Sequence, residues 1–142
     1  MAIRIPTLNN PQEMTVFVSG PDGANRLIIC AGAAPMMIST APSSTTAIFT
    51  FLVGPVLQRA QFVRAIASVS LTKFYVAFPQ VLPTGVINPS GWNIQSADAD
   101  WDDESGQVEA RVEIMVEAPP PAFLGINGLS YHISILAALP QV

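Results

Sequence analysis

The chain has 142 residues, of which 50% are apolar and only 11% are charged, and its formal net charge is −4. About a quarter of the residues in a typical soluble domain are charged, so this chain is unusually poor in charge. The length suits one domain with a hydrophobic core. With only six Lys and Arg and no basic cluster, we predict no direct binding of nucleic acid.

The longest stretch without charge, residues 27–58, is long enough to cross a bilayer as a helix. It contains Pro35, Pro42 and Pro55, and proline inside a helix removes a hydrogen bond and clashes with the preceding turn. The sequence therefore predicts no transmembrane segment. No signal peptide is visible either, because no apolar segment follows Arg4.

The N-terminal segment is interrupted by Pro6, Asn9, Asn10 and Pro11. We predict an extended N-terminal arm over residues 1–13 and a single β-sandwich domain over residues 14–142. Period-two apolar patterns and β-branched residues then predict strands at residues 14–20, 26–33, 36–40, 47–54, 66–78, 92–101, 107–118 and 130–142. The first two strands are predicted to form a hairpin around the turn residues 21–23.

Residues 55–66 are ambiguous. Pro55 suits the first turn of a helix, and Val56, Ala60 and Val63 could share one helical face. We predict at most one short helix, near 55–66. The segment 119–129, rich in proline and glycine, is predicted to be a loop.

The segment 107–118 has the clearest strand pattern, with apolar residues at even positions from Val108 to Val116. Charged residues alternate with them, as in a strand with one face in a core. Gly106 supplies the left-handed conformation that a short hairpin loop needs. Many short strands with Gly and Pro between them predict an all-β fold, an antiparallel β-sandwich resembling a jelly roll.

The acidic run before this strand raises the question of calcium. The positions of Asp98, Asp100, Asp102 and Glu109 match positions 1, 3, 5 and 12 of an EF-hand loop. Position 6, which needs glycine, is Asp103, and a strand rather than a helix follows. These four residues are therefore only weak metal candidates, and a solvated hairpin tip is the simpler interpretation. We predict no cofactor.

No catalytic motif is present, so we predict that the protein is not an enzyme. Cys30 and His132 could formally act as nucleophile and base, but Cys30 lies among aliphatic residues, where burial makes a thiol inert. Trp92 and Trp101 could stack on a sugar, although aromatic residues in strands are more often core or interface residues.

Charge is concentrated in one hairpin. Residues 98–117 hold eight of the ten acids, while the other 122 residues hold only seven charged side chains. A surface so poor in charge is more easily explained by burial between subunits than by a soluble monomer. We therefore expect copies of the chain to pack together as a homo-oligomer or polymer.

The function predicted from the sequence is that of a structural, self-assembling subunit, in a virion (a viral or phage capsid or shell) or in an extracellular filament. The predicted interface comprises two groups, namely Ile3, Ile5 and Leu8 of the arm and Glu109, Arg111, Glu113 and Glu117 of the acidic hairpin. The alternative function is a carbohydrate- or ligand-binding β-sandwich module, with or without calcium.

Overall fold

The computed structural model describes residues 1–20, 23–40, 44–77, 91–118 and 122–139. These ranges contain nine strands: β1 Ala2–Arg4, β2 Asn9–Gly20, β3 Gly23–Ala34, β4 Ile38–Ser39, β5 Ser44–Val53, β6 Phe62–Ala77, β7 Gly91–Trp101, β8 Val108–Glu117 and β9 Phe123–Ala138. Within the same ranges, no helix is long and apolar enough to cross a membrane.

The strands form two packed sheets, which confirms the predicted all-β sandwich. Sheet A has the order β1-β5-β8-β7. In sheet B the central strand β9 pairs with β6 on one side and with β3 and β4 on the other, and β2 pairs with the outer side of β3. Pairing is antiparallel except between β1 and β5, which run parallel.

The core lies between the two sheets and follows from the alternation of apolar residues. On β8, Val108 to Val116 point inward at every second position and are fully buried. Ile133 and Ile135 of β9 face them from sheet B with no exposed surface. The rings of Phe51 on β5 and Tyr131 on β9 meet across the sheets, with 5.0 Å between their centroids.

The predicted hairpin between β7 and β8 is confirmed, and its turn depends on Gly106. This residue has φ +74°, a conformation that costs glycine little because it has no Cβ. The backbone N–H of Asp102 donates to the carbonyl of Gln107 at 2.8 Å, and Gly106 N–H donates back to the carbonyl of Asp102 at 2.8 Å. The predicted turn residues Pro21 and Asp22 lie outside the described residues, although the predicted β2–β3 hairpin is confirmed by its antiparallel pairing.

The prediction of at most one short helix near 55–66 is confirmed, since the segment contains one three-residue 3-10 helix, Arg59–Gln61. Two boundary predictions were wrong. The strand predicted to begin at residue 66 begins at Phe62. The predicted loop at 119–129 is strand from Phe123 onward. Position 125 requires glycine, because the ring of Tyr75 occupies the space where a Cβ would stand.

Residues 1–13 contact the same chain in this structure. Strand β1 pairs with residues 48–50 of β5, Ile5 N–H donates to the Thr50 carbonyl at 2.8 Å, and Ile5 is buried. Strand β2 begins at Asn9, five residues before its predicted start. The division into an arm and a separate domain at residue 14 stays a prediction.

Candidate functional site

The outward surface of sheet A carries seven of the protein's sixteen charged side chains, and we call it the acidic face. Residues paired directly across neighbouring strands point to the same side of a sheet. The acidic face therefore contains five carboxylates and two guanidinium groups, a formal charge of −3, from Asp98, Asp100, Glu109, Glu113, Glu117, Arg4 and Arg111. Arg4 forms an ion pair with Glu109 at 2.7 Å.

The outward surface of sheet B has the opposite character, and we call its four central rows the apolar face. Each row begins on β2 and crosses β3 and β9, and three of the four rows continue to β6. The rows are Gln12–Ala31–His132–Ser68, Met14–Ile29–Ser134–Ile66, Val16–Leu27–Leu136–Arg64 and Val18–Asn25–Ala138. Nine of these fifteen residues are apolar, and Arg64 is the one charged residue among them.

Several large side chains on the apolar face are open to solvent. The exposed fractions are 58% for Met14, 43% for Val16, 45% for Val18 and 61% for Ile66. Four strands spaced by about 4.8 Å and seven residues rising about 3.4 Å each give this face roughly 450 Å². Nine of the fifteen residues in this area are apolar, and exposed apolar patches of a few hundred Å² on monomeric proteins often mark interaction sites.

Strand β2 extends the exposed region beyond the sandwich. All its residues from Asn9 to Ser19 are exposed on both sides of the strand. Phe17, which points to the side opposite Val16, is 72% exposed. Sheet A therefore does not cover β2, and apolar side chains emerge from both of its surfaces.

The predicted interface residues lie away from the apolar face. Ile3 on β1 is half exposed, Ile5 is buried and Leu8 packs against the core of its own chain. The charged residues predicted on β8 all belong to the acidic face. The assignment of these residues to an interface stays a prediction. The apolar face is recognised only from the register of β2, β3, β6 and β9.

The weak metal candidates surround a shallow depression of about 150 Å³, lined by Asp98, Asp100, Asp102 and Glu109 together with Arg111. Arg111 lies directly opposite Asp98 in the sheet and brings a positive charge into the group. No group of three or more His, Cys, Asp or Glu side chains in the described part of the chain has a geometry that could hold a metal ion.

Asp102 stabilises the hairpin turn. The Ser105 hydroxyl and backbone N–H donate to its Oδ2 atom at 2.6 and 3.0 Å. These hydrogen bonds lower the pKa of the Asp102 carboxyl because they favour the ionised form. Its carboxylate is thus already satisfied by the turn.

Cys30 and His132 do not form a catalytic pair. Cys30 points into the core, while His132 on the neighbouring strand points outward on the apolar face. Burial, together with the Glu13 carboxylate, raises the pKa of the Cys30 thiol to about 11 from its ordinary value of 9.0. The thiol is therefore protonated, and a poor nucleophile, at neutral pH.

We expect thiol-specific labelling of Cys30 at pH 8 to be at least about a hundredfold slower in the folded protein than in urea, since a two-unit higher pKa leaves about a hundredfold less thiolate. Labelling should accelerate as the pH rises through about 11. Over the same pH range the folded protein should lose the stability that it gains from keeping the thiol protonated. Equal rates with and without urea at pH 8 would show that the thiol is open to solvent.

The two tryptophans differ in how far they are open to a sugar. Trp101 Nε1 donates to the carbonyls of Leu57 and Gly106 at 3.0 and 3.1 Å, and the Arg59 guanidinium lies 5.6 Å from the centre of its ring. Trp92 packs on Phe74 with 4.5 Å between ring centroids, where the edges of the two sheets approach. Trp101 is therefore a structural residue, and Trp92 is only partly open.

A cleft of about 600 Å³ lies beneath the segment that connects β1 with β2. Its walls come from that segment, from the start of β2 and from β3, β5 and β9, and include Pro6, Leu8, Pro11, Cys30, Leu52 and Tyr131. Sequence reasoning missed this cleft because it depends on how residues 5–8 pass from sheet A to sheet B.

Comparisons of the chain with protein-family models, with curated proteins and with solved structures found no match.

Proposed function

We propose that this protein is a structural subunit that assembles with copies of itself, and that the apolar face of sheet B makes the main contact. The supporting observation is the contrast between the two outer faces. Among the residues of the apolar face only Arg64 is charged, whereas the acidic face holds seven charged residues. Depletion of charge is typical of the centre of a stable subunit interface.

The acidic face influences which surfaces of two copies meet, and it does not add to the attraction between them. Two acidic faces repel each other, because each carries a formal charge of −3 and like charges brought together are costly. This repulsion disfavours wrong pairings and leaves the acidic face in contact with solvent. Copies of the chain then meet through sheet B, in a virion or an extracellular assembly.

The area of the apolar face limits the size of a single contact. Two copies placed face to face bury about 900 Å² in total, close to the roughly 1,000 Å² of the smallest specific interfaces. The face therefore needs additional contacts to form a stable assembly. Strand β2 forms one margin of the face, and its free edge is available for such contacts.

Light scattering and negative-stain electron microscopy of the purified protein test this proposal. We expect particles much larger than the 15.1 kDa chain. They should persist in 1 M salt, because salt screens contacts between charges but does not weaken contacts between apolar surfaces. A species of 15.1 kDa at all concentrations would overturn the proposal, and dissociation by salt would instead indicate a contact between the acidic face and a positively charged region of another copy.

The cleft favours a second candidate, a ligand-binding β-sandwich module. Its volume of about 600 Å³ is within the usual range for small-molecule sites. A monomer whose melting temperature rises with a sugar or with calcium would support this candidate. The geometry around Trp101 and Asp102 does not add to it, because both side chains are engaged within the turn.

A further inference from the structure

Strand β2 is an edge strand with a free side. It pairs with β3 on one side, and no other strand in the described ranges pairs with it. An edge of this kind presents unpaired N–H and C=O groups to another chain. Because β2 is also exposed on both surfaces, nothing in the described structure blocks the approach of a second strand.

Natural edge strands are usually protected by charge, proline or a bulge. In β2 these features occur only at its start, where a register shift between Asn9 and Gln12 contains Pro11 and is followed by Glu13. The segment from Met14 to Ser19 has neither charge nor proline. Its unprotected half also carries the exposed side chains of Met14, Val16, Phe17 and Val18.

We infer that β2 pairs with β2 of a second copy of this chain, in antiparallel orientation about a twofold axis at Val16. This inference rests on the proposed function and specifies how its copies meet. A second copy is the favoured partner because antiparallel pairing of identical strands is self-complementary. The β2 edge also continues directly into the apolar face, which we have proposed as the main contact.

The register follows from three constraints. Pro11 has no N–H to donate and interrupts a ladder, so regular pairing begins at Gln12. The strand ends at Gly20, so the longest regular pairing joins residues 12–20 of both copies and is centred on Val16. Even-numbered residues then lie opposite even-numbered residues, and the apolar faces of both copies stay on the same side.

The side chains suit this register. Met14 lies opposite Val18, Val16 opposite its symmetry mate, and Thr15 opposite Phe17. Glu13 lies opposite Ser19, so the two Glu13 carboxylates are separated by about six residues, or roughly 20 Å along the strands. The paired strands form a continuous sheet whose outer side joins the two apolar faces into one surface of about 900 Å², which a second such pair can cover.

Disulfide cross-linking of the full chain tests the register. Val16→Cys is expected to form a covalent dimer under mild oxidation, because the two Cβ atoms face each other across the axis at about 5 Å. Phe17→Cys is the matched control. It is the more exposed position of the two, but its symmetry mates are offset by two residues, beyond the roughly 7 Å that a disulfide spans between Cα atoms.

A mixture of Thr15→Cys and Phe17→Cys chains should also cross-link, since these positions lie opposite each other, and neither chain should do so alone. The native Cys30 is buried and its pKa of about 11 keeps it unreactive, so it does not contribute. Far-ultraviolet circular dichroism checks that each variant is folded.

The outcomes separate the two proposals. Particles that form without a Val16→Cys cross-link, or with equal cross-linking at Phe17→Cys, would overturn pairing through β2 while self-assembly stands. A monomer that forms no cross-link would overturn both. A Val16→Cys dimer without a Phe17→Cys dimer supports the inferred register.

Discussion

Replacing Ile66 with lysine is expected to dissociate the assembly, with a 30- to 1,000-fold weaker association. Ile66 lies on β6 in the second row of the apolar face and is 61% exposed in the single chain. Contact with another copy would bury it, and a buried lysine without a partner loses both packing and hydration. Losses of this kind cost about 2–4 kcal/mol, which corresponds to the stated fold-change.

The matched control is Met115→Lys, which makes the same kind of change on the opposite side of the molecule. Met115 is half buried and points outward on sheet A between Thr46 and Asn93. Lysine is compatible with the acidic face, where Glu113 and Glu117 lie on the same side of β8. The particle size from light scattering should therefore not change. If Met115→Lys dissociates the particles and Ile66→Lys does not, the contact lies on sheet A.

Replacing Phe51 with alanine is expected to lower the free energy of unfolding by about 3–5 kcal/mol, the usual cost of removing a fully buried phenylalanine. Phe51 has no exposed surface, and its ring meets that of Tyr131 from the other sheet at 5.0 Å. The substitution thus leaves a cavity between the two sheets. Urea denaturation followed by tryptophan fluorescence gives the change directly.

Phe17→Ala is the corresponding control, because it removes the same atoms from a position that is 72% exposed. Its effect on the free energy of unfolding should stay within about 0.5 kcal/mol. Both variants need to be measured where light scattering shows the same species, so that assembly does not contribute. A similar cost at both positions would mean that the sheets do not pack through Phe51.

Strand prediction succeeded where one side of a strand is apolar and the other is charged. The segment 107–118 shows this contrast at every outward position of the strand except Met115, so strand β8 and its inward side could be predicted together. Residues 55–66 lack it, since Val56 and Val63 fit a helical face as well as a strand. Pairing of β6 with the long strand β9 decides the outcome, because hydrogen bonds to a neighbouring strand override weak local preference.

The start of β9 shows a second reason for failure. Gly125 and Gly128 suggest a loop when only neighbouring residues are considered. In the folded chain the Tyr75 ring occupies the space above Gly125, and Thr72 lies close to Gly128. Glycine is needed there because β6 lies so close. This contact joins residues about fifty positions apart, so no local sequence pattern contains it.

The sequence by itself determined the all-β class, the hairpin at Gly106 and the concentration of acids in that hairpin, because each depends on residues close together in the chain. It also indicated a surplus of apolar surface, since composition does not depend on the fold. Only the tertiary structure decided where that surplus lies. In strand β2 alternation places Met14, Val16 and Val18 on one apolar side, which by itself would be predicted to face the core, and the register with β3 is needed to place them on the outer face.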